Sequence, residues 1–295
     1  MVHESDIVII GHLAKDIIEV DGISHSSIGG AVYYGGIAGS HMGVKISIIT
    51  RLKQSDFPLL EIFKKNGIKY YVSPSEETSG LKNIYSSQNI EFRSYEALGF
   101  AGRFEKHEIP DIKTKFFVIG PIIAGEIDLK LLNYLYIKYS GKICLDIQGF
   151  IRIRENSKIF YRNLPKKDIS EILSKVRVLK LDQKEAEVLT NQKDINLATQ
   201  ELYELGPKEI LVTHEKGITL NFQNKIYIFP WKNKASIGRT GRGDTAFISY
   251  LGARLTRNPE ESLKFSAALT SLKMELPGPF SLPLYQVENL IKNEY

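Results

Sequence analysis

Cysteine is nearly absent from this chain of 295 residues, and its single thiol, Cys144, excludes an intramolecular disulfide and points to a reducing compartment. Cys144 stands in the apolar run 142–147, where a buried and inert thiol is expected. No apolar run approaches the ~20 residues that a bilayer-spanning helix needs. The N-terminus passes directly into Asp6-Ile-Val-Ile-Ile-Gly11, without the basic start and long hydrophobic stretch of a secretion signal. These absences predict a cytoplasmic protein with no membrane partner. Basic blocks interleaved with aromatics are also missing, so the net charge of +5 argues for small anionic ligands and against nucleic acid. Six scattered histidines offer no metal-spaced cluster, and there is no Walker A loop or G-x-S-x-G elbow. No G-x-G-x-x-G follows the first apolar run, which argues against a dinucleotide-binding dehydrogenase.

What is present is enough apolar material, 43%, for the core of one large α/β domain. The runs at 7–10, 45–50, 116–120, 143–147, 176–181 and 210–213 read as buried strands of a parallel sheet. Residues 58–66 read as a helix that stops at Gly67, and Asn258-Pro-Glu-Glu261 reads as a helix start with Asn at the cap and Pro in the first position. Between 69 and 95 the pattern shifts to short alternating runs, the mark of antiparallel strands.

The chemistry is concentrated in residues 236–255, S-I-G-R-T-G-R-G-D-T-A-F-I-S-Y-L-G-A-R-L. Gly238, Gly241 and Gly243 free the backbone for a tight turn, and Ala246, Phe247, Tyr250, Leu251 and Leu255 recur at helical spacing behind it. A helix starting near Asp244 aims unpaired N–H groups and a partial positive charge into that turn, which suits phosphate oxygens. Asp244 is then either an ordinary first-turn acid or cap, or a carboxylate placed to take a proton from a nucleophile.

This stretch resembles the D-T-x-G-A-G-D signature of the ribokinase-like, or PfkB, carbohydrate and nucleoside kinases, through Thr240, Gly241, Gly243, Asp244 and Phe247. The resemblance implies that Asp244 is the catalytic base and that the turn from Gly241 through Arg242 to Gly243 is the anion hole. Gly238 stands where the pattern has its first Asp, and Arg242 replaces the usual Ala; Arg242 either supplements the hole or points to solvent.

Further matches follow in the family's order. Asp16, after the first strand, is either a turn residue or the family's acceptor of substrate hydroxyls. Gly29 and Gly30 match its substrate-facing Gly-Gly, while Tyr34 stands where the family often has Asn, as an aromatic wall or a packing residue. Asp146-Ile-Gln-Gly-Phe-Ile-Arg152 is similar to a D-x-Q-x-x-x-R stretch of the myo-inositol kinase branch, giving Gln148 and Arg152 to the substrate; buried polar capping is the competing account. Asp182-Gln-Lys-Glu185 reads as a capping box and also resembles the family's N-x-x-E, in which Glu185 would help to hold Mg²⁺. Thr213-His-Glu-Lys-Gly217 is similar to the nucleotide loop, which would place Thr213, Gly217 and Thr240, with Asp182, around ATP; an ordinary turn between strands would read the same way.

The resemblance implies a three-layer α/β/α sandwich, one kinase domain over 1–295, with a small β lid built from about 12–25 and 69–105. It implies ATP and Mg²⁺ as cofactors, a small polyol or sugar as acceptor with myo-inositol preferred, and a monomer or a homodimer through the lid. A nucleoside or ribose kinase, or a non-catalytic nucleotide- or sugar-binding protein of the same fold, is the alternative.

Overall fold

The short apolar runs become strands because both of their faces are covered. In a computed structural model, which describes residues 3–86 and 89–295 and only the backbone of 89–93, nine strands form a central sheet. They are β2 (Ile7–Ile10), β5 (Ile46–Lys53), β6 (Lys69–Ser75), β10 (Phe116–Ile119), β11 (Ile143–Asp146), β14 (Val178–Asp182), β15 (Glu209–His214), β16 (Gly217–Phe222) and β17 (Lys225–Pro230). A two-stranded pair, β1 (His3–Glu4) with β9 (Ile112–Lys113), lies apart. The order across the central sheet is β17-β16-β15-β14-β11-β10-β2-β5-β6. Pairing is parallel from β6 to β15 and antiparallel from β15 to β17.

Alternation along each strand sends side chains to opposite faces. Val8, Ile10, Phe117, Ile119, Leu145 and Leu179 enter one cluster, with α3 (Leu129–Lys138), α5 (Lys166–Leu173), α6 (Gln183–Thr190) and α7 (Ile195–Tyr203). Ile7, Ile9, Phe116, Val118, Cys144 and Val178 enter the other, with α1 (Ala31–His41), α2 (Glu61–Lys65), α8 (Arg242–Ala253) and α9 (Pro259–Met274). The result is the expected three-layer sandwich. A last helix, α10 (Leu284–Glu294), packs on α9, and a one-turn helix, α4 (Gln148–Ile151), follows β11. Cys144 is fully buried, and burial pushes its thiol up, so it is a packing residue.

Two expectations change. Residues 58–66 are only partly α-helical, because Pro58 lies in a 3-10 segment, Gln54–Leu60, and α2 begins at Glu61. The second change concerns the smaller sheet, of order β12-β13-β8-β7-β3-β4. It comprises β3 (Ala14–Val20), β4 (Ile23–Gly29), β7 (Gly80–Ser86), β8 (Asn89–Gly99), β12 (Arg152–Glu155) and β13 (Lys158–Tyr161). Lys69–Ser75, read with the lid, instead pairs parallel with β5 at the edge of the central sheet. Arg152–Tyr161, not read with the lid, pairs antiparallel with itself and reaches β8 at Lys158↔Glu96. Residues 87 and 88 of the expected lid stretch lie outside the described residues.

Candidate active site

The carboxyl ends of the parallel strands converge on one edge, where the side chains that ended each run in the sequence now meet. The end of β2 is held by His12 and Glu126. Glu126 accepts from the N–H groups of His12, Ile122 and Ile123 at 3.2, 2.6 and 3.0 Å, and His12 Nδ1 lies 2.7 Å from Ser79 Oγ. This network ties the central sheet to the start of β7. Gly30, at φ 93°, opens α1 directly beneath it, where a side chain would strike the His12 carbonyl.

Two cavities adjoin this edge. The larger, about 1080 Å³, lies between the smaller sheet and the loop before α8. Asp16, Ser27, Tyr34, Tyr85, Arg239 and Thr240 are among its lining. Asp16 is anchored, with Oδ1 accepting from Leu81 N at 2.8 Å, and its carboxylate rests on Gly29, where any Cβ would collide with it. The smaller, about 70 Å³, is lined by Gln148, Lys180, Asp182, Thr213, Arg239, Gly241, Arg242, Gly243 and Asp244. Arg239 lines both cavities. Tyr34 forms the wall between them, because its ring packs on Gly241, which has no room for a side chain and stands at φ 81°.

Helix α8 begins at Arg242 with Gly241 as its cap, so Asp244 is the third helical residue and a first-turn acid, not the cap. Gly241 offers no side chain to the first-turn amides, which leaves that end of the helix able to receive an anion. Arg242 is not the solvated surface charge that one reading allowed. It is 8% exposed, lines the small cavity, and lies 5.9 Å from the centre of the Trp231 ring.

Lys180 is the residue that the sequence reading missed. Its Nζ donates to Asp146 Oδ2 at 2.8 Å and lies 3.0 Å from where a Cβ of Gly243 would sit. Burial alone would lower this amine, but Asp146, then Glu185 and Asp244, raise it further than burial lowers it, so it stays charged. The available signal was a lysine among the apolar residues of V-L-K-L, directly before the helix start at Asp182.

The structure separates some of the residues expected together. Asp182 and Glu185 form the capping box of α6, with Glu185 N donating to Asp182 Oδ1 at 2.8 Å and Asp182 N to Glu185 Oε2 at 2.7 Å. The other Glu185 oxygen meets Arg152 Nη2 at 3.3 Å. Arg152, expected on the substrate, is thus a buried partner of Glu185, with its guanidinium over the rings of Tyr95 and Tyr161. Burial first, then Asp182, raises the Glu185 carboxyl, while Lys180 and Arg152 oppose the shift. Gln148 lines the small cavity and donates to the Pro121 carbonyl at 3.1 Å. Gly217 begins β16 tight against the Phe229 carbonyl, which accounts for its lack of a side chain by strand packing. Among the described residues, no group of three His, Cys, Asp or Glu stands ready to hold a metal.

Comparison with solved structures settles the family. A pyrophosphate-dependent kinase of the ribokinase family, in a sulfate complex, is 31% identical and superposes with a TM-score of 0.88 over 96% of this chain and 99% of that one. The chain belongs to the ribokinase family. This ribokinase-family protein is therefore a phosphotransferase of the sugar and nucleoside kinase class. The same pyrophosphate-dependent type complexed with a pyrophosphate analog and myo-inositol matches at 30% identity and a TM-score of 0.87, over 96% of this chain and 99% of that one. A cytidine kinase of Thermococcus kodakarensis is 28% identical over 269 residues, covering 87% of this chain and 91% of that protein. Ribokinase from Thermotoga maritima, 19% identical with a TM-score of 0.77 over 98% of this chain and all of its own, shares the fold. No protein-family model matches the chain. Within this ribokinase-family fold, no helix among the described residues is long and apolar enough to cross a membrane.

Proposed function

We propose that the protein transfers a phosphoryl group from pyrophosphate to a hydroxyl of a cyclic polyol, with myo-inositol the preferred acceptor. The observation that carries the donor is the small cavity. At about 70 Å³ it has room for a phosphoryl group and none for a nucleoside, and Lys180, Arg239 and Arg242 bring three cations to its wall beside Asp244. Arg242, in turn, lies 5.9 Å from the centre of the Trp231 ring, whose Nε1 donates to the His214 carbonyl at 2.9 Å. A nucleotide donor, the expectation from the family resemblance, would need room for its adenine outside this cavity. The pyrophosphate-dependent relatives, one in complex with myo-inositol, support the same reading, as does the D-I-Q-G-F-I-R stretch.

In this reading the acceptor lies in the large cavity, where the anchored Asp16 carboxylate, with Gly29 and Gly30 beneath, receives its hydroxyls. The reacting hydroxyl passes between Tyr34 and Arg239 toward Asp244, which takes its proton as the oxygen attacks one phosphorus of pyrophosphate; the bridging P–O bond breaks and inorganic phosphate leaves. The Gly241–Gly243 turn and the α8 N-terminus, with Lys180 and Arg242, stabilise the charge on the transferred group. Thr213 and Asp182 complete the donor wall. Glu185 is already held by Arg152 and its own cap, and Asp244 is kept for the proton, so Asp182 is the carboxylate of this cavity that would hold a Mg²⁺. Such an ion would neutralise donor charge. The smaller sheet acts as the lid that keeps water, a competing acceptor, away from the transferred group.

A second reading rests on one observation. The acceptor cavity of about 1080 Å³, with Tyr33, Tyr34 and Tyr85 in its lining, has room and aromatic surface for a nucleoside, the acceptor named for the Thermococcus relative. The test crosses two donors, Mg-pyrophosphate and Mg-ATP, with myo-inositol, ribose, cytidine and adenosine, and follows the phosphorylated product by ³¹P NMR. Turnover is expected with pyrophosphate and myo-inositol. Turnover with ATP alone sinks the donor assignment, and a preference for cytidine sinks the acceptor assignment.

A further inference from the structure

A buried lysine that no step above uses lies directly behind the catalytic turn. Lys273 is in the last turn of α9 and 2% exposed, although a lysine is among the residues least often found buried. Its Nζ donates to two backbone carbonyls of one short loop, those of Gly238 and Thr240, and lies 5.0 Å from the centre of the Tyr34 ring. The ammonium has three N–H groups, so two carbonyls and one aromatic face satisfy it. Burial pulls the amine down to about 7, and the Asp244 carboxylate works against that. The two carbonyl oxygens and the Tyr34 face also favour the charged form, as does the negative end of α9.

The loop that it grips has little freedom left. Gly238 N donates to the Met274 carbonyl at 2.8 Å, and any side chain at 238 would strike the Leu276 carbonyl. The residue flanked by the two gripped carbonyls is Arg239, which lines both cavities, and the residue after them is Gly241, the cap of α8. We infer that Lys273 is a built-in monovalent cation: its ammonium occupies a carbonyl cage and, through it, positions Arg239 and the anion-binding turn for phosphoryl transfer. Lys273 is a positioning residue and touches neither substrate. The inference rests on the kinase reading for its catalytic consequence, whereas the cage itself can be tested without turnover.

The experiment replaces Lys273 with Met, removing the charge and keeping the stem, and titrates ammonium, potassium, lithium and tetramethylammonium chlorides against melting temperature and steady-state rates. Ammonium and potassium match the size of the missing group; lithium is too small and tetramethylammonium too large. The wild type is expected to show no preference among the four salts. Lys273→Met is expected to lose on the order of 10²-fold in kcat, from displacement of the turn by a fraction of an ångström, with the acceptor KM little changed. Ammonium or potassium then raises its melting temperature and restores part of kcat, and the other two ions do neither. A folded variant that keeps full activity overturns the inference, and so does a folded, slow variant whose melting temperature and rate ignore ammonium and potassium.

Lys273→Gln, which offers N–H groups without charge, serves if the Met variant does not fold. Ammonium-dependent folding of either variant supports the cage, and variants that stay unfolded even in ammonium overturn it. Should the wild type transfer no phosphoryl group to any acceptor, the melting temperatures still decide the cage, and only the kinase reading fails.

Discussion

Lys180 Nζ lies 2.8 Å from Asp146 Oδ2 at the end of two adjacent parallel strands, and both side chains are almost completely buried. The pair gives the small cavity a fixed positive wall, because Asp146 compensates the ammonium without neutralising its reach toward Gly243 and Asp244. Lys180→Met should raise the KM for the phosphoryl donor at least tenfold and leave the acceptor KM within about twofold. The same change strands a buried carboxylate, at a cost of about 3–5 kcal/mol. Adding Asp146→Asn should recover most of the melting temperature and none of the donor affinity, which steady-state kinetics on both variants will check.

Asp244 should behave as a base and not as a structural acid. Asp244→Asn keeps a first-turn side chain of the same shape on α8, so its melting temperature should stay within a few degrees of wild type. Its kcat should fall on the order of 10²-fold or more, with donor and acceptor KM little changed. A variant that turns over at the wild-type rate removes Asp244 from the chemistry.

Restoring the family's aspartate at position 238 should harm the protein. The site has no room for a Cβ beside the Leu276 carbonyl, and Lys273 already compensates the loop. Gly238→Asp should destabilise by about 3 kcal/mol or more through overpacking and strain, read as a lower denaturation midpoint.

His12 and Glu126 predict how stability depends on pH. Burial first, and then Arg51, lowers His12 to about 3, so the folded protein keeps it neutral where the unfolded chain protonates it below 6.5. Its contribution is therefore fully present above pH 6.5 and is lost as pH falls toward 3, with a slope of up to about 1.4 kcal/mol per pH unit. Burial raises Glu126 to about 7, so its contribution is present below 4.5 and lost as pH rises through 7. The two slopes oppose one another between 4.5 and 6.5, and only the histidine term remains below that window. Urea unfolding from pH 3.5 to 8 should show His12→Gln losing the acid-side decline and retaining the fall through pH 7.

The central sheet was legible in the sequence because runs such as I-V-I-I and F-F-V-I are apolar at every position, which only a strand covered on both sides explains. The smaller sheet was legible in part. Its strands R-I-R-E and K-I-F-Y are short and half-exposed, and what makes them strands is pairing with each other and with β8, across about 60 residues of chain. In the site, the glycine turn and Asp244 were visible as a local pattern. Lys180 was not, since a lysine within a strand reads as an outward position until the registers of β11 and β14 turn it toward the glycine turn. Arg152 was placed on the substrate by its position in D-I-Q-G-F-I-R; one helical turn carries it past Asp146 and Gln148 to Glu185.

The smaller sheet is stitched from three separate excursions of the chain, at 14–29, 80–99 and 152–161. Each leaves the central sheet and returns before the next begins, so no one of them can assemble the sheet alone. The central sheet must bring β2, β10 and β11 into register before the excursions can meet, and the loop-closure entropy of those meetings is paid late. The smaller sheet over the large cavity should consequently be the last part to gain hydrogen-exchange protection during refolding. Phosphoryl transfer then becomes available only to chains whose core is already complete.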